Sequence, residues 1–438
     1  MKFAVQELSF FERDVRLRMP FRFGIVTLTQ SPQAFVRARI RLENGRESQG
    51  AAAELLAPKW FDKNPALTND DNFEQLRSSM RSARDAYLAG GSNTAHGHSR
   101  PAAGLVENYG PALIDRALLD ALCRALGISF YEAMRRNVAG ISFAGLDMPR
   151  FLAGLAPRGE IAARHTVGLV DPLSQAERRV NDGLPETLQE VIERYGHRWF
   201  KLKVGGDLKA DVERLSQIAA VLDRIPEPYH ASLDGNEQYA DVDGVLQLWR
   251  AMKAEPRLER LAASIVFIEQ PIKRQNALAA DVSKLEKPVI IDESDDSLDA
   301  FPRAKALGYR GVSSKTCKGI YKSLINAARC AAWGRDYFMT GEDLTIQPGL
   351  ALQQDLALVS LLGLTHVERN GHHYVNGMAA VPAAEQQRFL EAHGDLYERT
   401  HGAVRVKIQR GELQIGSLDC PGYASRALPD WESMRRMQ

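Results

Sequence analysis

Short runs of β-branched and apolar residues, each followed by a stretch with helical spacing, recur along the second half of the chain. Eight can be counted: His165 to Val170, Trp199 to Lys203, Tyr229 to Leu233, Ile265 to Glu269, Val289 to Asp292, Gly311 to Lys315, Tyr337 to Thr340 and Thr365 to Glu368. Intervening segments such as Asp211 to Leu222, Val242 to Ala254 and Lys322 to Trp333 are long enough for helices that cross over between parallel strands. The alternation predicts βα units and a parallel sheet, and eight units is the number that closes a barrel.

The flanks have a different texture. Before the barrel rhythm, Phe3 to Phe11, the alternating Phe35 to Leu42 and a run into Ala51 to Ala53 predict strands, with a turn at Asn44-Gly45. Helical patterns follow at Phe73 to Leu88 and Ala112 to Leu126, separated by a polar, glycine-rich loop over Gly90 to Gly104. After it, Glu385 to Ala392 predicts a helix, and Val404 to Ile408 with Leu413 to Ile415 predict a hairpin across Arg410-Gly411. This tail is expected to fold back onto the amino-terminal α+β unit, since chain ends often lie close together.

Composition narrows the partner. With 45% hydrophobic and 25% charged residues among 438 and a net charge of +1, the chain is an ordinary globular protein without a field for nucleic acid or an anionic membrane. A small molecule is the expected partner. Cys123, Cys317, Cys330 and Cys420 show no CxxC spacing, and Met1 to Glu7 lack the apolar stretch of a signal peptide, so a cytoplasmic protein is expected.

Polar residues close the strand runs, where a parallel α/β barrel builds its active site. Lys201 and Lys203 share a face because side chains alternate along a strand. Crowding two ammonium groups is expected to lower the proton affinity of at least one, leaving a base; the competing reading is a solvent-facing pair. Asp234, Glu269 and Asp292 end three successive runs about one βα unit apart. Any one of them alone could be a helix cap or surface acid. Together they would repel one another unless a divalent cation sits between them, and all-oxygen ligation points to Mg²⁺, with Mn²⁺ possible, over Zn²⁺. Lys315 lies one further unit along, while neighbouring Lys318 and Lys322 read as snorkelling surface lysines. A cation flanked by opposed amines suits removal of a proton α to a carboxylate, the charge spreading into an enediolate.

The ordered set Lys-x-Lys (Lys201, Lys203), Asp-x-Asn (Asp234, Asn236), Glu-Gln-Pro (Glu269, Gln270, Pro271), Asp-Glu-Ser (Asp292, Glu293, Ser294) and Lys-x-x-Lys (Lys315, Lys318) resembles the enolase superfamily, in the muconate lactonizing enzyme-like subgroup of its mandelate racemase/muconate lactonizing enzyme family. The resemblance implies a modified (β/α)8 TIM-type barrel over residues 161–375 and an α+β capping domain built from residues 1–160 and the returning tail, residues 376–438. It implies Asp234, Glu269 and Asp292 as Mg²⁺ ligands, Lys203 and Lys315 as acid/base groups, Lys201 tuning Lys203 and binding a substrate carboxylate, Asn236 behind the ligands, and Glu293 tuning Lys315 or competing as a ligand. Two departures stand out: Gly319-Ile320-Tyr321 where the family usually has a Gly-Gly pair, and Glu368-Arg369-Asn370 where dipeptide epimerases carry Asp-x-Asp.

By the same resemblance the cap supplies a lid, with Phe21 to Ile25 and Ala51 to Glu54 as matching loops. Phe21 and Phe23 could equally be cap core. Glu342-Asp343, Glu368 and His372 are further substrate-contact candidates; these acids could instead cap helices, and His372-His373, like His96 and His98, could be structural. The expected function is Mg²⁺-dependent abstraction of the α-proton of a small carboxylate, leading to racemisation, epimerisation or cycloisomerisation in a homo-oligomeric enzyme. The alternatives are an acid-sugar dehydratase sharing that first step, a Schiff-base lysine aldolase, and a non-catalytic barrel.

Overall fold

A computed structural model describes residues 1–24 and 26–437. Three antiparallel strands, β1 (Phe3–Phe23), β2 (Val26–Leu42) and β3 (Glu47–Leu55), form the amino-terminal sheet. Two helices cover it. Asn69–Leu88 opens with a Thr68/Asp71 capping box, and Leu105–Leu126 closes on left-handed Gly127. Sheet and helix approach so closely at Gly50 that a Cβ there would lie 2.2 Å from the Ala121 nitrogen, which only glycine avoids.

The strands β5 (Glu160–Val167), β6 (Trp199–Lys203), β7 (His230–Asp234), β8 (Ile265–Glu269), β9 (Val289–Ile291), β10 (Gly311–Ser314), β11 (Phe338–Gly341) and β12 (His366–Arg369) pair in parallel, and β12 pairs with β5 to close the barrel; β4 (Ser92–Asn93) lies outside it, on β1. Alternation sorts each strand's residues inward and outward. On β6, outward Phe200 and Leu202 are fully buried under the helices, while Trp199, Lys201 and Lys203 climb the interior. Near the bottom, Trp199 stacks on His366 at 3.9 Å between ring centroids and Arg164 lies 5.2 Å over the Phe267 ring. This aromatic floor closes the barrel beneath the charged residues.

The tail does return to the amino-terminal sheet. Residues 435–436 (β16) pair with Phe11 and Glu12 of β1, Trp431 packs on Phe11, and Arg13 forms a buried ion pair with Glu385 at 2.7 Å. The expected tail hairpin is corrected. The Arg410-Gly411 turn forms, but Glu412–Gln414 (β15) leaves it to pair with β5, and Ala403–Val406 (β14) pairs with Tyr397–Thr400 (β13) instead. His401 and Gly402, both at positive φ, supply the tight turn that joins those two strands. The Gly90 to Gly104 segment also carries order: β4, a short helix at Ala95–His98, and a buried His98 whose Nε2 donates to the Phe3 carbonyl at 2.7 Å. Ala51 to Glu54 is strand β3, not a loop. No helix of the described residues is long and apolar enough to cross a membrane.

Candidate active site

Register brings the first charged residues together: Lys203 lies beside Asp234, and Asp234 beside Glu269, at the carboxyl ends of β6, β7 and β8. Two residues back along β6, Lys201 Nζ is surrounded by four carboxylates, at 2.9 Å from Asp234, 2.8 Å from Glu269, 2.7 Å from Glu342 and 3.0 Å from Glu368. Burial opposes the charge on Lys201, but those acids outweigh it and hold the ammonium well above the ordinary lysine range. Crowding was expected to lower the proton affinity of at least one of the two lysines; Lys201 is not that one, because the acids here outnumber the amines. Glu342 is also held by Arg164 and Glu368 by the Thr166 hydroxyl at 2.6 Å; both stay below the usual glutamate range despite burial.

Across the mouth, Lys315 Nζ donates to Asp292 Oδ2 at 2.5 Å, and burial of this lysine is overcome by that acid, which raises its affinity for the proton. Ser313 donates to the other oxygen of Asp292. Gln270 builds the local frame: its Oε1 accepts from the Asp292 and Ser294 amides at 2.8 and 3.1 Å, while its Nε2 donates to the Ile272 carbonyl and Ser294 Oγ. Gln270, Asn236 and Glu237, the residues just past β8 and β7, all have positive φ. Non-glycine residues held there mark a backbone bent to aim its side chains.

Glu269 is the odd member. Neither carboxylate oxygen has a hydrogen bond of acceptable geometry, although Lys201 is within ion-pair distance, and burial together with Asp234 and Glu342 holds its carboxyl well above the usual range. Asn236 Oδ1 and Glu293 Oε2 are also buried without donors. Asp234, Glu269 and Asp292 thus offer the oxygen set of a hard-cation site with an unclaimed acceptor at its centre. Their oxygens are not gathered on one point, because Asp234 is turned onto Lys201 and Lys203, and Asp292 onto Lys315.

A roof from the amino-terminal domain covers this mouth. Phe21, Phe23, Leu28, Ala57 and Trp60 line the same pocket as Lys201, Lys203, Asp234, Asn236, Lys315 and Glu368, with about 30 Å³ of free volume, room for a water or two. Lys315 Nζ lies 4.3 Å from the centre of the Trp60 ring, and Phe21 stacks on Tyr374 with ring centroids 4.3 Å apart. Phe21 and Phe23 are both core residues of the sheet and pocket walls; Ile25 lies outside the described residues. Glu342 sits below the pocket, on Lys201 and Arg164, and His372 is not in this group.

A family model described as enolase C-terminal domain-like matches residues 183–425. The chain belongs to the enolase superfamily, in the mandelate racemase/muconate lactonizing enzyme family. Among its relatives, a chloromuconate cycloisomerase of Cupriavidus pinatubonensis is 27% identical over 351 residues, 78% of this chain and 81% of that protein. An N-succinyl-L-Arg/Lys racemase of Bacillus cereus is 26% identical over 170 residues, 38% of this chain and 40% of that protein. The solved 2-chloromuconate cycloisomerase of Rhodococcus opacus 1CP superposes with a TM-score of 0.64 at 19% identity, covering 98% of both chains.

Within this enolase-superfamily mouth, three residues carry weight that the sequence did not advertise. Lys318 is not a surface lysine: it is 1% exposed and reaches Asp292, Ser313 and Asp295. Lys63, from the amino-terminal domain, pairs with Glu293 at 3.0 Å and Glu237 at 2.5 Å, so Glu293 faces Lys63 and Asn236 where it was expected to serve Lys315. Gln270 was visible only as the middle of Glu-Gln-Pro. Lys322, expected at the surface, is also largely buried, with its side chain 10% exposed, and it donates to the Asp295 carbonyl and pairs with the Asp295 carboxylate at 3.3 Å.

Proposed function

We propose that the chain is an isomerase that abstracts the α-proton of a small carboxylate, with Lys203 and Lys315 as opposed acid/base groups and a Mg²⁺ ion held by Asp234, Glu269 and Asp292. The observation that carries the reading is that both lysines line one apolar-roofed pocket with the acid arc between them. The bound cation would act as a Lewis acid on the substrate carboxylate, taking up the charge that develops there. One lysine amine takes the α-proton while the C–H electron pair passes into that carboxylate, and the opposite ammonium returns a proton to the other face. Such reprotonation inverts the centre, giving racemisation or epimerisation; attack or loss of an internal oxygen at the same stage gives cycloisomerisation.

The chain's own residues set the conditions. While Lys315 is paired with Asp292 it is an ammonium and cannot accept a proton, so Asp292 must let go of it for that lysine to act as base. Gln270 fixes the backbone from which Asp292 swings. The apolar walls, Phe21, Phe23, Leu28 and Trp60, exclude water and favour a substrate with an apolar or unsaturated body over a polyhydroxy acid, which counts against acid-sugar dehydration. Lys201, locked as an ammonium among four acids, is a poor Schiff-base nucleophile.

Chelation should abolish solvent deuterium exchange at the α-carbon across a panel of N-acyl amino acids, unsaturated diacids and lactones, and Mg²⁺ should restore it. Exchange that survives complete metal removal would overturn the assigned role of the acid arc.

A further inference from the structure

His165, His197 and His372 each present a ring nitrogen such that all three lie within 4.8 Å of one another. The cluster lies outside the barrel wall. His165 falls between Arg164 and Thr166 on β5, whose side chains bond to interior Glu342 and Glu368, so alternation turns His165 outward. His197 stands just before β6, and His372 on the short helix Gly371–Tyr374 after β12. The three rings therefore join β12, β5 and β6, the seam at which the barrel closes.

His165 and His197 are 1% and 0% exposed. His165 Nδ1, His197 Nε2 and both ring nitrogens of His372 are nevertheless buried with no hydrogen-bond partner. Ring contacts, stacked at 5.2 Å between His165 and His197, and at 5.3 Å from His372 edge-on to His165 and tilted to His197, leave these nitrogens unmatched. His197 Nδ1 donates to the Ala163 carbonyl at 2.9 Å, which fixes its tautomer and frees Nε2 as a lone-pair donor, the arrangement typical of a metal-ligating histidine. Burial keeps the rings neutral, pushing His197 down to about 4 and the other two well below the usual histidine range. The nearby cations are already engaged, Arg18 by Asp182 and Arg369 by Asp343 and Asp355.

We propose that His165, His197 and His372 form a Zn²⁺ site, distinct from the acid arc, that pins the seam of the barrel. Three neutral imidazoles with no carboxylate among them suit zinc over Mg²⁺. Zinc–nitrogen bonds of about 2.0–2.1 Å at tetrahedral angles require each nitrogen to move inward by about 0.8 Å at most from a 4.8 Å triangle, within the reach of small ring rotations.

The test uses the full chain, stripped of metal and then held in excess Mg²⁺ so that the acid arc is occupied. Co²⁺ titration should give visible d–d absorption that saturates at one equivalent and is displaced by Zn²⁺, and Zn²⁺ should raise the thermal midpoint by several degrees. His165→Gln and His197→Gln should each abolish the band and the shift. X-ray absorption of the zinc-loaded protein should show three imidazole ligands and needs no variant to fold. Absence of the Co²⁺ band, binding that fails to saturate at one equivalent, a band undiminished in both variants, or zinc without imidazole neighbours would each overturn the site.

Discussion

Replacing Lys201 by methionine keeps most of the side chain's bulk and removes the one charge that four buried acids share. Contacts at 2.7–3.0 Å are each worth about 6 kcal/mol of gross attraction at an effective dielectric constant near 20. Desolvation of the ammonium and the acids offsets most of that sum, and removing one partner of a buried pair typically costs about 3–5 kcal/mol. The lower end applies to Lys201→Met, because Lys203 still reaches Asp234, Arg164 still reaches Glu342, and Thr166 still reaches Glu368. Glu269, with its raised proton affinity, adds little while it stays protonated. Urea denaturation of both proteins in chelator should therefore show a loss of about 3 kcal/mol, and the gap should narrow when Mg²⁺ replaces the missing positive charge. A loss under about 1 kcal/mol in chelator, the range of an ordinary surface change, would refute the reasoning.

Three further outcomes follow from named residues. Glu269 has a folded pKa above its unfolded value, so in the metal-free protein its contribution to stability is present at low pH and is lost as pH rises through the folded value. Mg²⁺ must displace that proton; affinity should rise with pH above the ordinary glutamate range, and calorimetry in buffers of different ionisation heat should show proton release, whereas pH-independent binding would contradict it. Gln270→Ala strips the Asp292 and Ser294 amides of their acceptor and should lower Mg²⁺ affinity by about 10–100-fold with a stability loss of about 1–3 kcal/mol; unchanged affinity in a folded variant would remove Gln270 from the metal's supporting frame. Lys63→Met should leave Glu293 without its cation and loosen the roof, raising KM more than it lowers kcat in steady-state assays; an effect on kcat alone would place Lys63 in the chemistry.

The barrel was legible because two periods coincide: side chains alternate along each strand, and strands return once per βα unit. That is enough to put Lys203, Asp234 and Glu269 side by side without knowing any contact. Asp292 and Lys315 follow from the same rhythm, but their pairing does not, since sequence spacing says nothing about which way an acid turns at the strand end. Lys318 was misread because lysines are mostly exposed, whereas here the turn after β10 folds it back under Asp292. Lys63 was invisible for another reason: it belongs to the amino-terminal domain and meets Glu293 only through packing between distant parts of the chain. The tail failed on pairing choice: the Arg410-Gly411 turn forms as its sequence suggests, but the strand beyond it pairs with β5, and β14 pairs with β13 across a second turn at His401-Gly402 that was not expected from the sequence. His372 went astray because its strand-end address fits the mouth, while the short helix after β12 carries it behind the wall.

The central claim is that two lysines act from opposite faces of one substrate carbon. The direct measurement is stereospecific deuterium exchange, followed by NMR, of each enantiomer of a substrate that the native protein isomerises, using Lys203→Ala and Lys315→Ala. Both variants should lose interconversion by about 10²-fold or more, while each keeps exchange of only the enantiomer whose proton faces its surviving lysine, and the two variants should keep opposite ones. Interconversion at the native rate in either variant, or retention of the same enantiomer's exchange in both, would contradict the account.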